Sequence, residues 1–232
     1  MNEALIEWLP HRDEYISEIL DFEKRPANQQ CSQCQLQEGR FRCKECFSQA
    51  PLCQDCCFTT HLNAPFHHIE KWTGQFFDKT SLNQEGFILH LGHGGQPCPT
   101  DYTGWDNKEP QPGSSDEDMG EGEGEEGVPF ASWEKQDRRC LVIVDTSGVH
   151  QLRVGWCRCD AAAEPHIQLL RHRLFPASMK RPSTAFTFSL LEYFHIDSVE
   201  CKTSASSFFS KLRRLTNNSH PNSVPVSQAI AI

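Results

Sequence analysis

Two regions of the chain show regular spacing of hydrophobic positions that predicts secondary structure. HRDEYISEILDFEKR, residues 11–25, has apolar residues at helical spacing between two prolines, which predicts one amphipathic helix within residues 1–28. We expect this helix to pack on its own domain, with a partner-binding helix as the alternative. CLVIVDTSGVHQLRVGWCRC, residues 140–159, predicts two strands around Thr146-Ser147-Gly148, which is a hairpin signal.

Two helices are expected near the end of the chain. TAFTFSLLEYFHIDSV and SASSFFSKLRRLTNN each carry an apolar face, and two helices on a small sheet would form an α+β domain over residues 130–218. Turn signals and aromatic residues predict strands and loops for residues 73–108, and residues 219–232 are expected to be a flexible tail. The predicted apolar face of the helices comprises Phe186, Leu190, Leu191, Phe194, Phe208, Phe209, Leu212 and Leu215.

The polar composition separates an acidic segment from a basic C-terminal half. Residues 109–129 are rich in Gly, Pro, Ser and acidic residues, which predicts a disordered acidic insert. This insert contributes most of the net charge of −9, and from Arg138 onward twelve Lys and Arg face six Asp and Glu, a balance of +6. The basic half could therefore meet an anionic partner. The basic residues singled out for nucleic acid are Arg171, Arg173, Lys180, Arg181, Lys211, Arg213 and Arg214.

The N-terminus does not resemble a secretory signal, and no apolar stretch reaches the roughly 18 residues of a membrane span. We therefore expect an intracellular protein that does not associate with a membrane. In that compartment thiols stay reduced, so clustered cysteines indicate metal ligands more than disulfides.

The twelve cysteines are concentrated in the first half of the chain. Between residues 31 and 67, three CxxC pairs are followed by two histidines, and eight ligands in four pairs suffice for two closed zinc sites of structural type. Adjacent residues leave two choices open, because Cys57 competes with Cys56 and His68 with His67. The predicted zinc module is residues 29–72, with ligands Cys31, Cys34, Cys43, Cys46, Cys53, Cys56, His61 and His67.

A third candidate metal site involves the CRC motif. If the second strand of the hairpin is regular, Cys157 and Cys159 lie on one face of it. His93 and Cys98, from LGHGGQPC, would complete a set of four ligands. The alternative is that these cysteines are inert buried thiols.

Enzyme functions are weighed and not favoured. Asp145 at a strand end suits the first carboxylate of an RNase H-like nuclease, but the remaining acids have no paired spacing. We interpret Asp145 as a turn residue. A RING-type ubiquitin ligase is disfavoured because both histidines follow the cysteines. We expect neither catalysis nor a small-molecule substrate.

The ligand order resembles that of a B-box zinc finger, which implies that pairs one and three share one zinc and pairs two and four the other. Further blocks, including PLCQDCCFTTHLNAPFHHIEKWTGQFF, LHLGHGGQPCP, VIVDTSGVHQLRVGWCRCD and FFSKLRRLTNN, resemble the CxC-type cysteine cluster domain (second type) of fungal KDZ transposases. This resemblance extends from about Trp8 to Asn218 and favours His67 over His68.

The resemblance implies a transposon origin and a nuclear location. In the family a catalytic transposase region normally follows, and we expect this chain to lack it. The expected fold is a small zinc-stabilised α+β protein, with a B-box-like cross-braced module followed by a hairpin sheet and C-terminal helices. The expected function is a non-catalytic zinc-binding accessory module of a KDZ-type transposable element that binds DNA, and the expected partners are DNA or a transposase or other nuclear protein. The alternative is a protein-interaction module of B-box type.

Overall fold

The computed structural model describes residues 3–25, 28–102 and 140–224. Contacts divide the chain into two units, Met1–Phe87 and Ile88–Ile232. The predicted acidic insert, residues 109–129, lies outside the described residues. The predicted segment 73–108 does not form a unit of its own, because its first strand belongs to the first unit and its second to the other.

The first unit begins with two helices, α1 (Glu3–Trp8) and α2 (Arg12–Asp21), joined by a 3₁₀ turn at Leu9–His11. Helix α2 lies within the predicted window of residues 11–25, and α1 is an additional helix, separated from α2 by the turn that contains Pro10. Neither helix buries any of its described residues, contrary to the expectation that the apolar face packs on its own domain.

A three-stranded antiparallel sheet and one helix form the rest of this unit. The sheet has the order β1 (Phe41–Cys43), β2 (Ile69–Trp72), β3 (Phe77–Thr80), and α3 (Gln54–His61) precedes β2. Few large apolar side chains are fully buried here, and cysteines and one histidine occupy much of the interior. Those buried to within 2 % exposure are Cys31, His61, Ile69, Leu82, Cys53 and Cys57.

A buried ion pair joins neighbouring strands of this sheet. Arg42 on β1 contacts Glu70 on β2, with an Nη2–Oε2 distance of 2.6 Å, and the two side chains are 7 % and 6 % exposed. Arg42 also donates to the carbonyl of Phe22 and to Glu23, which follow α2. The guanidinium of Arg42 therefore connects the sheet to the end of the N-terminal helices.

The second unit is built on a five-stranded mixed sheet of order β4-β6-β5-β8-β7. Its strands are β4 (Ile88–His90), β5 (Cys140–Asp145), β6 (Gly148–Gly155), β7 (Leu174–Pro176) and β8 (Thr184–Thr187). Strands β5 and β6 form the predicted hairpin, in which Asp145 pairs with Gly148. Gly148 has φ +138°, a backbone conformation that residues other than glycine rarely adopt.

Three helices accompany this sheet: α4 (Pro165–Arg171), α5 (Phe188–Glu200) and α6 (Ala205–Thr216). The helical pattern predicted from Thr184 begins only at Phe188, because Thr184–Thr187 pair as a strand with β5 and β7. The Thr187 hydroxyl accepts from the Leu190 N–H and so caps α5. The mixed α+β prediction is confirmed, although the sheet is larger than the hairpin expected.

The hydrophobic core of the second unit lies between the sheet and α5 and α6. Leu190, Phe208, Phe209 and Leu212 are buried there, whereas Leu215 from the predicted face is 55 % exposed. The first residues of the predicted tail have regular structure. Pro221–Ser223 form a 3₁₀ turn, and Val224 is buried in the same core. Residues 225–232 lie outside the described part of the chain. None of the helices described is long and apolar enough to cross a membrane.

Candidate metal centres

Three groups of Cys and His side chains converge in the described residues. In each group the four candidate ligand atoms lie within 4.8 Å of one another. Cluster 1 is Cys31, Cys34, Cys53 and Cys56; cluster 2 is Cys43, Cys46, His61 and His67; cluster 3 is His93, Cys98, Cys157 and Cys159.

Cluster 1 is assembled from a turn and the start of a helix. The turn after Cys31 is closed by the Gln35 N–H on the Cys31 carbonyl at 3.0 Å. Cys53 is the N-cap of α3, and Cys56 follows in the first helical turn. The sulphur atoms of Cys34 and Cys53 are 3.8 Å apart.

Cluster 2 lies at the other end of α3. Cys43 ends β1, and His61 is the last residue of α3, so one short helix contributes to both clusters. The His61 Nδ1–H donates to the Cys57 carbonyl at 2.6 Å, which leaves Nε2 facing Cys46 at 3.7 Å. A ligating histidine is commonly oriented in this way by a hydrogen bond from its other ring nitrogen.

The two ambiguous neighbours, Cys57 and His68, are not members of the converging groups. Cys57 lies beside His61, with 3.7 Å between Sγ and Nδ1, and Cys56 is the member of cluster 1. His68 pairs with Glu45, at 2.6 Å between Nδ1 and Oε1, while His67 Nδ1 lies 3.4 Å from the Cys43 sulphur.

Substitution of the two adjacent histidines will have different effects on metal binding. His67→Ala removes a ligand atom of cluster 2 and should lower its metal affinity by orders of magnitude, whereas His68→Ala removes a partly exposed contact with Glu45 and no ligand atom of that cluster. Competition of each variant with a chromophoric zinc chelator measures this difference. Equal affinities in both variants would exclude His67 as a ligand.

Cluster 3 follows from the topology of the second sheet. Strands β4 and β6 are parallel, and His90 pairs with Gly155, so the loops that follow both strands emerge at the same edge. The loop after β4 carries His93 and Cys98, and the loop after β6 carries Cys157 and Cys159. The CRC motif therefore lies just beyond β6, and the prediction that it lies on the strand is wrong.

Close approach of the two loops requires glycine. A Cβ on Gly92 would lie 2.9 Å from the Cβ of Cys157, closer than side-chain atoms pack. In the assembled cluster the His93 Nε2 is 3.4 Å from the Cys157 sulphur and 3.5 Å from that of Cys159, and the sulphurs of Cys98 and Cys159 are 3.8 Å apart.

These distances match a tetrahedral ion and not a disulfide. Zinc with bonds of about 2.3 Å to sulphur and 2.1 Å to nitrogen would separate two sulphurs by about 3.8 Å, and sulphur from nitrogen by about 3.6 Å. The sulphur–sulphur separation of 3.8 Å in clusters 1 and 3 far exceeds the about 2.05 Å of a disulfide bond.

The neighbouring thiols of cluster 3 have different pKa values. The backbone N–H of Arg158 and the Thr100 hydroxyl lower the pKa of Cys98 to about 5, whereas contact with Cys98 and Cys157 raises the pKa of Cys159 to about 11. Hydrogen bonds to sulphur favour the thiolate, and a neighbouring thiolate disfavours a second one. Thiols that bind a metal are deprotonated, and the positive charge of a divalent cation would offset the repulsion between the resulting thiolates.

Helix α4 and the residue that follows it brace cluster 3 through two side chains that the sequence did not single out. Gln168, 5 % exposed, binds the Cys157 N–H and carbonyl at 2.9 Å each, and the His172 Nε2–H donates to the Leu91 carbonyl at 3.0 Å. The one sequence signal for Gln168 is a polar residue within the apolar run IQLL.

Asp145 has the surroundings of a turn residue. Its carboxylate accepts from the Ser147 N–H and hydroxyl and, at 2.7 Å, from the Thr187 hydroxyl. Burial raises the pKa of Asp145, but these hydrogen bonds outweigh it and lower the pKa below its usual value. Asp145 belongs to none of the three metal-type groups found in the described residues.

The basic residues predicted for nucleic acid fall into two groups. Four exposed residues lie beside the edge strand β7, and we call them the β7 basic surface: Arg171, Arg173, Lys180 and Arg181. On α6, Lys211 pairs with Asp197 at 3.1 Å, and Arg213 donates to the Val224 carbonyl at 3.5 Å. Arg214 is exposed.

Comparison with known protein families matches part of the chain. Residues 125–220 match a family model described as a CxC2-like cysteine cluster associated with KDZ transposases. The matched range contains Cys157, Cys159 and helices α4 to α6, and it excludes the whole first unit. No curated protein and no solved structure matches the chain. The second half of the chain is therefore similar to the cysteine cluster that is associated with KDZ transposases.

Proposed function

We propose that this protein is a non-catalytic zinc-binding module, held by three structural zinc ions, that accompanies a KDZ-type transposase of a fungal mobile element. The observation that carries the proposal is the convergence of three groups of four ligand atoms within 4.8 Å, each with pairs at the 3.4–3.8 Å that suits a tetrahedral zinc ion. Sulphur-rich tetrahedral sites select zinc among the common divalent metals. Each group holds four protein ligands, which leaves no open position for a substrate or a reactive water.

The first unit is proposed to be cross-braced in the B-box manner. Clusters 1 and 2 combine ligand pairs that alternate along the chain, and α3 contributes to both. A cross-brace of this kind ties together segments with too few buried apolar residues to hold themselves. Zinc would therefore supply folding free energy to this unit.

Binding to DNA in the nucleus is the proposed activity of the module. The β7 basic surface supports it, because basic residues flank both ends of a strand only three residues, or roughly 10 Å, long. The similarity to a transposase-associated family supports the same partner. The basic residues of α6 support it less, since Lys211 and Arg213 already have contacts within the unit.

Salt dependence of DNA binding tests this function. For the zinc-loaded protein and a fluorescein-labelled duplex of mixed sequence, the affinity should fall steeply with salt. Removing two phosphate contacts, by Arg171→Ala with Arg173→Ala, should reduce the slope of log Kd against log salt by about 2. Lys211→Ala is the matched control, because its ammonium pairs with Asp197, and it should leave the slope nearly unchanged. Fluorescence anisotropy measures both, and no binding by the wild type would refute the proposal.

A protein-interaction module remains the second candidate, and one observation favours it. An apolar groove of about 410 Å³ lies between α5, α6 and β7, and its walls include Phe175, Phe186 and Leu191. Apolar grooves of this type accept apolar side chains of a partner. A partner bound there would show affinity that barely changes with salt, which distinguishes this candidate from DNA binding.

A further inference from the structure

Helix α4 connects cluster 3 with the β7 basic surface along the chain. It starts at Pro165, six residues after Cys159, and ends at Arg171, the first residue of the basic surface. With seven residues the helix is too short to be stable alone in water. Its position therefore depends on the contacts that it makes with the rest of the unit.

Two of these contacts reach the loops that carry the metal ligands. Gln168 satisfies both backbone polar groups of Cys157, and a third hydrogen bond joins it to the Ala163 carbonyl at 2.7 Å. His172 binds the carbonyl of Leu91, two residues before His93. The helix is thus attached to both loops of cluster 3, to one through Gln168 in its middle and to the other through His172 just past its C-terminal end.

The other contacts of α4 are apolar and do not specify its orientation as strongly. Leu169 is completely buried, and Leu174, which starts β7, is 3 % exposed. Hydrogen bonds to the two loops give α4 its direction, because they are short and geometrically restrictive. If the loops separate, the helix retains its apolar anchor but loses these constraints.

We propose that the metal at cluster 3 fixes helix α4 through Gln168, so that binding of DNA phosphate by Arg171, the last residue of the helix, depends on the third zinc. Arg173 lies beyond the helix, where its carbonyl accepts from the Phe188 N–H at 3.1 Å. Gln168 is a positioning residue, because it contacts a ligand residue and neither the metal nor the DNA. This inference rests on the proposed function, and it adds that one metal site controls the DNA surface.

The test compares three variants of the whole chain in saturating zinc. Cys157→Ser with Cys159→Ser should bind two zinc ions and show a DNA salt slope reduced by about 1, as if Arg171 alone were removed. Gln168→Met should retain three ions with a weaker third site and weaker DNA binding. Cys201→Ser, an exposed cysteine outside all clusters, is the control and should behave as wild type.

Hydrogen exchange separates failure of this inference from failure of the proposed function. Amides of residues 167–173 should exchange faster in the double Cys variant and in Gln168→Met than in wild type, with the first unit unchanged. Unchanged exchange, or wild-type DNA affinity in the two-zinc variant, would overturn the coupling. If the wild type binds no DNA at all, DNA binding is refuted, and the exchange data still decide whether the third metal fixes α4.

Discussion

Removal of zinc is expected to unfold the first unit of this protein. Structural zinc in small domains contributes about 10–16 kcal/mol of apparent binding free energy, which exceeds the stability of most domains. Here cysteine and histidine ligands occupy the interior that apolar side chains fill in larger domains. Amide NMR spectra recorded during titration with a strong chelator should therefore collapse for residues 29–72, and zinc, but not magnesium, should restore them.

The second unit provides an internal comparison in the same titration. It has a larger apolar core, formed by residues of the five-stranded sheet, α5 and α6. Loss of metal from cluster 3 should disturb the loops after β4 and β6 while the signals of β5, α5 and α6 persist. A first unit that stays folded in chelator would contradict the structural role assigned to clusters 1 and 2.

Loss of the buried arginine on β1 is expected to be the most damaging single substitution outside the metal ligands. Arg42→Ala leaves Glu70, 6 % exposed, without its closest cation, and breaking one side of a buried pair costs about 3–5 kcal/mol. Lys44, at 3.1 Å from Glu70, recovers part of this charge balance. Urea denaturation in saturating zinc measures the change in unfolding free energy.

A neighbouring arginine supplies the matched control for Arg42. Arg40→Ala removes a half-exposed pair with Glu38 at 3.7 Å, and such pairs contribute less than about 1 kcal/mol. Equal costs for Arg42→Ala and Arg40→Ala would show that the buried pair does not stabilise the first unit.

Local sequence spacing anticipated the groups of side chains that the structure brings together. CxxC pairs place two sulphurs on one side of a turn, so three such pairs and the two histidines that follow them define candidate sites without knowledge of the fold. Which pairs share a site followed from resemblance alone. The hairpin of β5 and β6 could also be predicted from local sequence, because Thr146-Ser147 is a turn between two runs of strand-forming residues.

Features that depend on distant parts of the chain were not predictable. TAFT resembles the start of a helix, and it is a strand because β5 and β7 pair with it on both sides. The CRC motif lies beyond β6 because the strand pairing ends before it. On β6, the last residue paired with β4 is Gly155, and the last residue paired with β5 is Arg153. The roles of Gln168 and Glu70 come from partners eleven and 28 positions away in the chain.

The zinc content of the native protein tests the central claim most directly. Native mass spectrometry of protein purified without added chelator should show three zinc ions per chain, one for each of the three ligand groups. All nine cysteine ligands should then be reduced and protected from alkylation. A chain that carries no zinc, with its CxxC pairs oxidised to disulfides, would contradict the account.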